Sequence, residues 1–330
     1  MKALVYTDVE EMTFQNKPDP VLEEGENLIR VVSVGICGSD MHGFLGHDER
    51  RPAPLILGHE AAGDVIEGPM KGKRVTVNPL VTCDKCEACV TGREHLCAER
   101  SLISMKPRQG AFSELLKMPS SNLVEVPDHV DFDHAALTEP LAVCWHAVKL
   151  GEAALFFAPV DAKCLIIGGG AIGLGTALAL RARGYTNISI SEPNEKRHDM
   201  LRSAGDFNVY SPLQGHPDGV MFDIVFDAVG FAGTRADASA LVKPGGVIVH
   251  IGLGDSEPGL DVRRITLQEV QFIGTYCYTK VDFAETAQGI YDGIFGDLTW
   301  HQTRPLAEGH QAFVDILAGA VAEPKVILKP

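Results

Sequence analysis

The sequence predicts an α/β protein in two parts, a mostly β domain and a doubly wound parallel sheet, and three observations carry that expectation. Its 330 residues exceed the ~250 at which a single core stops growing, so two cores are expected. The N-terminal ~145 residues are β-forming runs broken by Gly and Pro, without a long helical period. From about Cys164 strand-like and helix-like segments alternate, which is the pattern of parallel strands with helices on both faces.

In the first part "NLIRVVSVGI" and "GKRVTVNP" read as strands, because β-branched side chains fit a pleated, half-buried surface. A helix is expected to begin at Glu139 and Pro140, since proline suits the first helical turn, where the missing N–H would be unpaired anyway. The second part runs through "CLIIG", a helix from Ala171 to Arg183, "NISIS" and a helix from Glu195 to Ala204. It continues with "DIVFDAVG", a helix from Ala236 to Val242, "GVIVHIGL" and "QFIGTY". Beyond Tyr278 the segments "DFAETAQGIYDG" and "GHQAFVDILAGAVAEPKVILKP" read as helices followed by a last strand, and this tail is expected to return to the first domain.

Hydrophobic residues make up 45% and charged residues 22% of the chain, the balance of a compact folded protein. The formal charge of -15 repels phosphate backbones and anionic lipid, so neither nucleic acid nor a membrane is expected as a partner. The apolar stretch "CLIIGGGAIGLGTALAL" falls short of the ~20 residues of a spanning helix and is rich in glycine. The N-terminal "MKALVYTDVEEMTF" meets acidic residues before it can build the core of a signal peptide, and a cytoplasmic protein is expected. Its cysteines then sit in a reducing compartment, where close spacing points to metal before disulfide.

"LIIGGGAIGLG" sets Gly168, Gly170 and Gly173 in a G-x-G-x-x-G pattern after an apolar strand, with Ala171 and Ile172 inside the turn. Such glycines let a pyrophosphate approach backbone N–H groups at a helix N-terminus. Nineteen residues after Gly173 comes Glu192, at the end of the next strand. A carboxylate there accepts from both hydroxyls of an adenine ribose and repels a 2′-phosphate, so the expected cofactor is NAD. Arg197 either packs on the adenine or is an ordinary surface residue.

Cys83, Cys86, Cys89 and Cys97 follow a C-x2-C-x2-C-x7-C spacing. Four thiolates in one loop can enclose Zn²⁺ tetrahedrally and leave no place for water, which describes a structural site. An iron–sulfur cluster and a nucleic-acid zinc module are the rivals, and the overall acidity disfavours the second. A second, scattered set holds more chemistry: Cys37, Ser39 and His42 in "GICGSDMHG", His59 and Glu60 in "LGHEAAGDV", and Glu139 in "LTEPLAVCWH". A thiolate, an imidazole and a carboxylate would hold zinc and leave a fourth position open, as catalysis requires. Singly, Cys37 reads as a small buried hydrophobe, His59 as a satisfied core residue and Glu139 as a helix-start carboxylate.

At these residues the sequence resembles the zinc-dependent medium-chain alcohol dehydrogenase family, and within it the polyol and secondary-alcohol branch. The likeness runs through "CGSDMH", "GHEAAGDV", "GKRV", the four-cysteine lobe, "TEPLAV", "GGGAIG", "DAVG", "KPGG", "FIGTYCYTKVDF" and "KVILKP" in family order. It implies a GroES-like catalytic domain from residues 1–147 and 280–330, with a zinc lobe at 81–100, around a Rossmann NAD-binding domain at 148–279. It implies two zinc ions per chain and an active site in the cleft between the domains. Cys37 and His59 match two ligands of the catalytic zinc, with Glu60 and Glu139 as exchangeable third ligands. Ser39 and His42 match the hydroxyl and imidazole that relay the substrate's proton, and the family assembles as dimers or tetramers.

Two departures stand out. The segment "GDVIEGPMKGKRV" is short, which trims a surface turn. Some sorbitol enzymes carry a substrate-binding Arg one residue before the position of Tyr278, where this chain has Cys277; that shifts the expectation towards a smaller diol. The implied activity is oxidation of a secondary alcohol, diol or polyol by NAD, with an amino alcohol such as threonine as the nearest rival substrate. A non-catalytic NAD-binding protein is the reading from another class. Phe44, Tyr276 and Tyr278 are candidate substrate contacts, or plain packing.

Overall fold

The computed structural model describes residues 1–156 and 161–330. The chain divides into two compact units, one of Met1–Pro140, Thr279–Asp292 and His301–Pro330, the other of Leu141–Tyr278 and Gly293–Trp300. The sequence reading set the first boundary at 147 and left the tail whole. The segment Gly293–Trp300 joins the second unit because the Phe295 ring stands edge-on to Trp145, with centroids 5.8 Å apart, and the Arg181 guanidinium donates to its carbonyl at 3.4 Å.

Among the described residues the first unit holds a sheet with the order Leu123–Glu125, Arg74–Val77, Glu60–Glu67, Glu26–Gly35, Lys325–Lys329, His301–Pro305. Strand Leu115–Pro119 also pairs with Glu26–Gly35. The central strand Glu26–Gly35 is buried on both faces along most of its length, because Ile29, Val31 and Val34 enter the core with Phe112 and Phe313 while helix Phe132–Ala136 covers the other side. Its neighbours decide the site. On one edge Gly35 pairs antiparallel with Glu60, and on the other Gly35 and Val34 pair with Ile327 and Leu328 of the last strand. The tail therefore returns as expected, and it adds a strand, His301–Pro305, parallel to the last one, which the polar sequence "HQTRP" does not signal. A two-stranded ribbon, Leu80–Val81 with Ser101–Leu102, brackets the four-cysteine loop.

The second unit is a parallel sheet in the order Asn208–Tyr210, Asn187–Ser191, Lys163–Ile167, Phe222–Asp227, Val242–His250, Gln271–Gly274. Strand order reverses beside Lys163–Ile167, the place where open α/β sheets bind nucleotides. The expected strands and helices are present, with one shift: the helix expected from Ala236 starts at Ala232, since the Thr234 hydroxyl accepts from the Phe231 N–H at 2.9 Å and closes its first turn. No helix among the described residues is long and apolar enough to cross a membrane.

One polar pin ties the last strand to the rest of its sheet. The Asp133 Oδ1 accepts from the Lys329 ammonium and from the Ser33 hydroxyl, both at 2.5 Å, and Lys329 also donates to Ser33 Oγ at 2.9 Å. Burial alone would raise the Asp133 carboxyl, but Lys329 and Ser33 hold it below the ordinary 3.8. A depressed carboxyl stabilises the fold above its unfolded pKa and loses that contribution as pH falls through the folded value. Asp133→Asn is expected to lower the unfolding free energy by about 1 to 2 kcal/mol at neutral pH. In denaturant titrations from pH 7 downward, the gap to wild type should close below about 3.8.

Candidate active site and metal centres

Cys37 and His59 are 22 residues apart in sequence and meet through strand register. Gly35 and Glu60 are partners in the sheet, so the residue two beyond the first strand and the residue just before the second emerge at the same end. A Cys37 Sγ, a His59 ring nitrogen and a Glu60 carboxylate oxygen lie within 4.8 Å of one another. His59 and Glu60 are buried, Cys37 partly so. Cys37 also caps the helix Gly38–Phe44, where the Asp40 carboxylate turns back to accept the Cys37 N–H at 3.0 Å.

Asp40 and Ser104, which the sequence reading passed over, orient the imidazole. Asp40 is fully buried; its Oδ1 accepts from the Gly58 N–H at 3.1 Å and lies 3.3 Å from His59 Nδ1. The Ser104 hydroxyl meets the same nitrogen at 3.3 Å. A carboxylate on one nitrogen of an imidazole leaves the other free to ligate and raises its basicity. Burial alone would lower the His59 imidazole, but the Asp40 carboxylate and the Cys37 sulfur raise it well above its ordinary value. Burial would likewise raise Asp40, and His59 with Arg51 hold it below the usual carboxylate range. Nothing in the motif "CGSDMH" marks the aspartate apart from its place as the helix's third residue.

His59 Nε2 faces the Ser39 hydroxyl at 3.4 Å, and a third missed residue, Arg51, donates to Ser39 Oγ at 3.4 Å. Arg51 is 2% exposed and pairs with Asp48. Its stem lies where a Cβ on Gly43 would sit, which accounts for the glycine there. His42 lies three residues beyond Ser39 on the same helix and is half-buried. Phe44, a candidate substrate contact, packs into the core against Phe313 at 5.1 Å; Tyr278 is likewise buried.

The two candidate third ligands separate. Glu60 belongs to the converging group, and Glu139, in the first turn of helix Thr138–Ala154, does not. Glu60 is itself engaged: the Lys325 ammonium donates to Oε1 at 2.7 Å and Oε2 at 2.8 Å. Lys325 opens the last strand and approaches Glu60 beside Gly35, where a Cβ would fall on the Glu60 carboxylate. The side chain of the intervening strand is absent so that the two charges can meet.

In the lobe, Cys83 and Cys97 sulfurs are 3.5 Å apart, Cys86 and Cys89 3.5 Å, Cys83 and Cys89 3.9 Å. Thiolates ~2.3 Å from one zinc ion at tetrahedral angles stand about 3.8 Å apart, whereas a disulfide needs ~2.05 Å. A four-iron cluster puts each thiolate on its own iron and a two-iron cluster places only two on each, so either spreads the four sulfurs wider, and a single ion fits best. The backbone N–H groups of Lys85 and Cys86 bring Cys83 down to about 7, while desolvation and the neighbouring sulfurs push Cys89 up to about 12. Thiols that compete for negative charge in this way are relieved by a dication.

In the second unit Gly168 adopts φ +99°, which favours glycine, and a Cβ on Gly173 would strike the Gly168 carbonyl. Gly170 differs: it caps the helix Ala171–Ala182 and faces open space. Room beside unpaired N–H groups of a helix start is what a pyrophosphate needs. Glu192 is 4% exposed and accepts the Gly169 N–H at 2.6 Å and the Asn194 N–H at 2.8 Å. Arg197 lies 3.8 Å from it. Ala171 and Ile172 begin the helix.

Fold and donor sets together define a class, that of nucleotide-dependent oxidoreductases built on a GroES-like and a Rossmann domain. Sequence comparison agrees: the profile of the alcohol dehydrogenase GroES-like domain matches residues 23–128 and that of the zinc-binding dehydrogenases residues 171–290. The chain is 31% identical to L-galactonate-5-dehydrogenase of Escherichia coli, over 93% of this chain and 92% of that one. It is 30% identical to sorbitol dehydrogenase of Bacillus subtilis, over 85% and 83%. A structure from Sinorhizobium meliloti, named as a zinc-binding dehydrogenase bound to NADP, superposes with TM-score 0.90 at 27% identity, over 100% of this chain and 99% of that one. The protein belongs to the zinc-dependent medium-chain alcohol dehydrogenase family, in its polyol branch.

Cys89→Ser is expected to remove about one zinc per chain and lower the melting temperature, because a structural ion contributes folding energy. Cys37→Ala should remove the other zinc and abolish turnover while NAD affinity stays within about threefold. Metal analysis, thermal melts and cofactor titration check both.

Proposed function

We propose that the protein oxidises a secondary alcohol, diol or polyol to a ketone or aldehyde with NAD, and the observation that carries this reading is the meeting of Cys37, His59 and a carboxylate beside a buried Asp40. One thiolate, one imidazole and one carboxylate form a catalytic rather than a structural zinc set. Cys37 and His59 would hold the ion, with Glu60 or Glu139 as third ligand. When bound, zinc lowers the pKa of an alcohol at its open position and the nicotinamide accepts hydride from the adjacent carbon.

The remaining work falls to this chain's own groups. Asp40 and Ser104 hold His59 in the tautomer whose Nε2 faces the site. Ser39 Oγ, placed between His59 Nε2 and the Arg51 guanidinium, takes up the substrate's proton, and His42 passes it outward, as an imidazole can near neutral pH. Gly168, Gly170, Ala171, Ile172 and Gly173 offer backbone N–H groups to pyrophosphate. Glu192 accepts from the adenine ribose, with Arg197 beside it. The relatives named above act on polyhydroxylated substrates by their names, which supports the choice of alcohol class.

The same reading places the protein in the cytoplasm, where its eight cysteines stay reduced. It also makes the protein a homo-oligomer, a tetramer or a dimer. Gln271–Gly274 is the edge strand of its sheet, and Phe272 on it is 39% exposed, which suits pairing with a second copy. Phe272→Asp is expected to shift native mass spectra towards the monomer; an unchanged oligomer would rule out that edge.

Steady-state assays of the zinc-loaded enzyme with NAD and a panel of diols, polyols and threonine test the activity, and no turnover with any alcohol refutes it. Glu192→Ala should reduce the ratio of kcat/KM for NAD over NADP by about tenfold or more. An unaltered ratio would remove Glu192 from the cofactor site.

A further inference from the structure

We propose that Arg235 is a positioning residue for the cofactor: it clamps together the two loops that receive the nicotinamide half of NAD, and so sets how tightly that half binds without touching it. The inference rests on the NAD reading above. A doubly wound sheet is built of two halves, each of which takes one mononucleotide outside the carboxyl ends of its strands. Strands Asn208–Tyr210, Asn187–Ser191 and Lys163–Ile167 form one half, and Glu192, directly after the second of them, marks it as the adenine half. The other half, Phe222–Asp227, Val242–His250 and Gln271–Gly274, is left for the nicotinamide. Its first two strands run out into the loops 228–231 and 251–261.

Those loops meet backbone to backbone. The Ile251 and Gly252 N–H groups donate to the Asp227 carbonyl at 2.9 Å and 3.0 Å, Gly254 to the Val229 carbonyl at 3.1 Å and Asp255 to the Gly230 carbonyl at 3.0 Å. Gly230 adopts φ +82°; a Cβ on it would strike the Gly252 carbonyl, and one on Gly252 would strike Val229. Arg235 is the fourth residue of helix Ala232–Leu241 and is 8% exposed. On the first loop it donates to the Gly230 carbonyl at 2.7 Å. On the second it donates to the Asp255 and Glu257 carbonyls at 3.3 Å and 2.5 Å and to the Asp255 carboxylate. Neither of those two carbonyls has another donor among the described residues. The Asp255 carboxylate reaches back to accept the Ala232 N–H at 3.2 Å, so the clamp closes in both directions. A guanidinium can serve this many acceptors because its five donors lie in one rigid plane. Truncating it would leave buried acceptors unsatisfied and free the second loop from its far end. A surface ordered before a ligand arrives loses no entropy when the ligand binds, so loosening this one should weaken the half of the cofactor that lies there and spare the other half.

The test compares NADH with ADP-ribose, which carries the adenine half and the pyrophosphate but no nicotinamide, by isothermal titration calorimetry. Arg235→Met should weaken NADH by about tenfold or more while ADP-ribose stays within about twofold of wild type. Asp255→Ala, which keeps the guanidinium on its carbonyls, should shift the ratio of the two affinities the same way by about threefold. In both variants hydrogen exchange should quicken over residues 251–257 and stay as in wild type over residues 187–197. Equal losses for the two ligands would reduce Arg235 to a structural role, and no loss for either would show that the loops hold without it; both results overturn the proposal. Should Arg235→Met fail to fold, the Asp255→Ala ratio decides, and an unchanged ratio overturns the proposal. If wild-type protein binds neither NADH nor ADP-ribose, the NAD reading itself fails, and that failure shows before any variant is made.

Discussion

The pairing of Gly35 with Glu60 in antiparallel register is the constraint on which the rest of the first unit depends. A slip of one residue would send Glu60 to the other face of the sheet and separate Cys37 from His59. The register is held from both sides, since the last strand docks on the opposite edge of Glu26–Gly35 and carries Lys325 to the same spot. Residues from near position 35, near position 60 and the C-terminal tail thus form one site, and Gly35 lies between the charges because only a missing side chain lets them touch.

Around that point the interior is unusually charged for a β core. Asp40, Glu60, Arg51 and Lys325 are all buried, and each has a partner of opposite charge or a donor aimed at it. Buried ion pairs add little net stability, because desolvation offsets most of the attraction. They do penalise every arrangement in which one partner is missing. Here that penalty falls on conformations that would move the imidazole or release the carboxylate, so the same pairs that close the sheet also hold the donors in place. A metal bound by these donors would thereby be linked to closure of the chain.

The nucleotide unit shows how one motif can contain glycines with different duties. Gly168 supplies a backbone angle and Gly173 a close approach of helix to strand, whereas Gly170 borders open space. The first two are explained by the protein alone. The third has no neighbour among the described residues to demand it, which suits a turn that a pyrophosphate can approach. Glu192 similarly has an internal duty, bonding the Gly169 and Asn194 N–H groups, so its carboxylate is oriented before any cofactor arrives.

The sequence by itself determined the elements whose causes are local: the alternating strands and helices of the nucleotide unit, the tight glycine turn, and the four cysteines clustered within one short loop. The returning tail was legible too, from its helical period and closing apolar run. Tertiary structure alone decided what depends on side chains distant in the chain. The polar strand His301–Pro305 exists because Lys325–Lys329 offers it a free edge, not because its residues favour extension. Phe44 enters the core because Phe313 waits there. Asp40 behind His59, Arg51 on Ser39 and Lys325 on Glu60 have no signature in spacing, since their partners are set by strand register and burial, and a charged residue reads as surface until its partner is known.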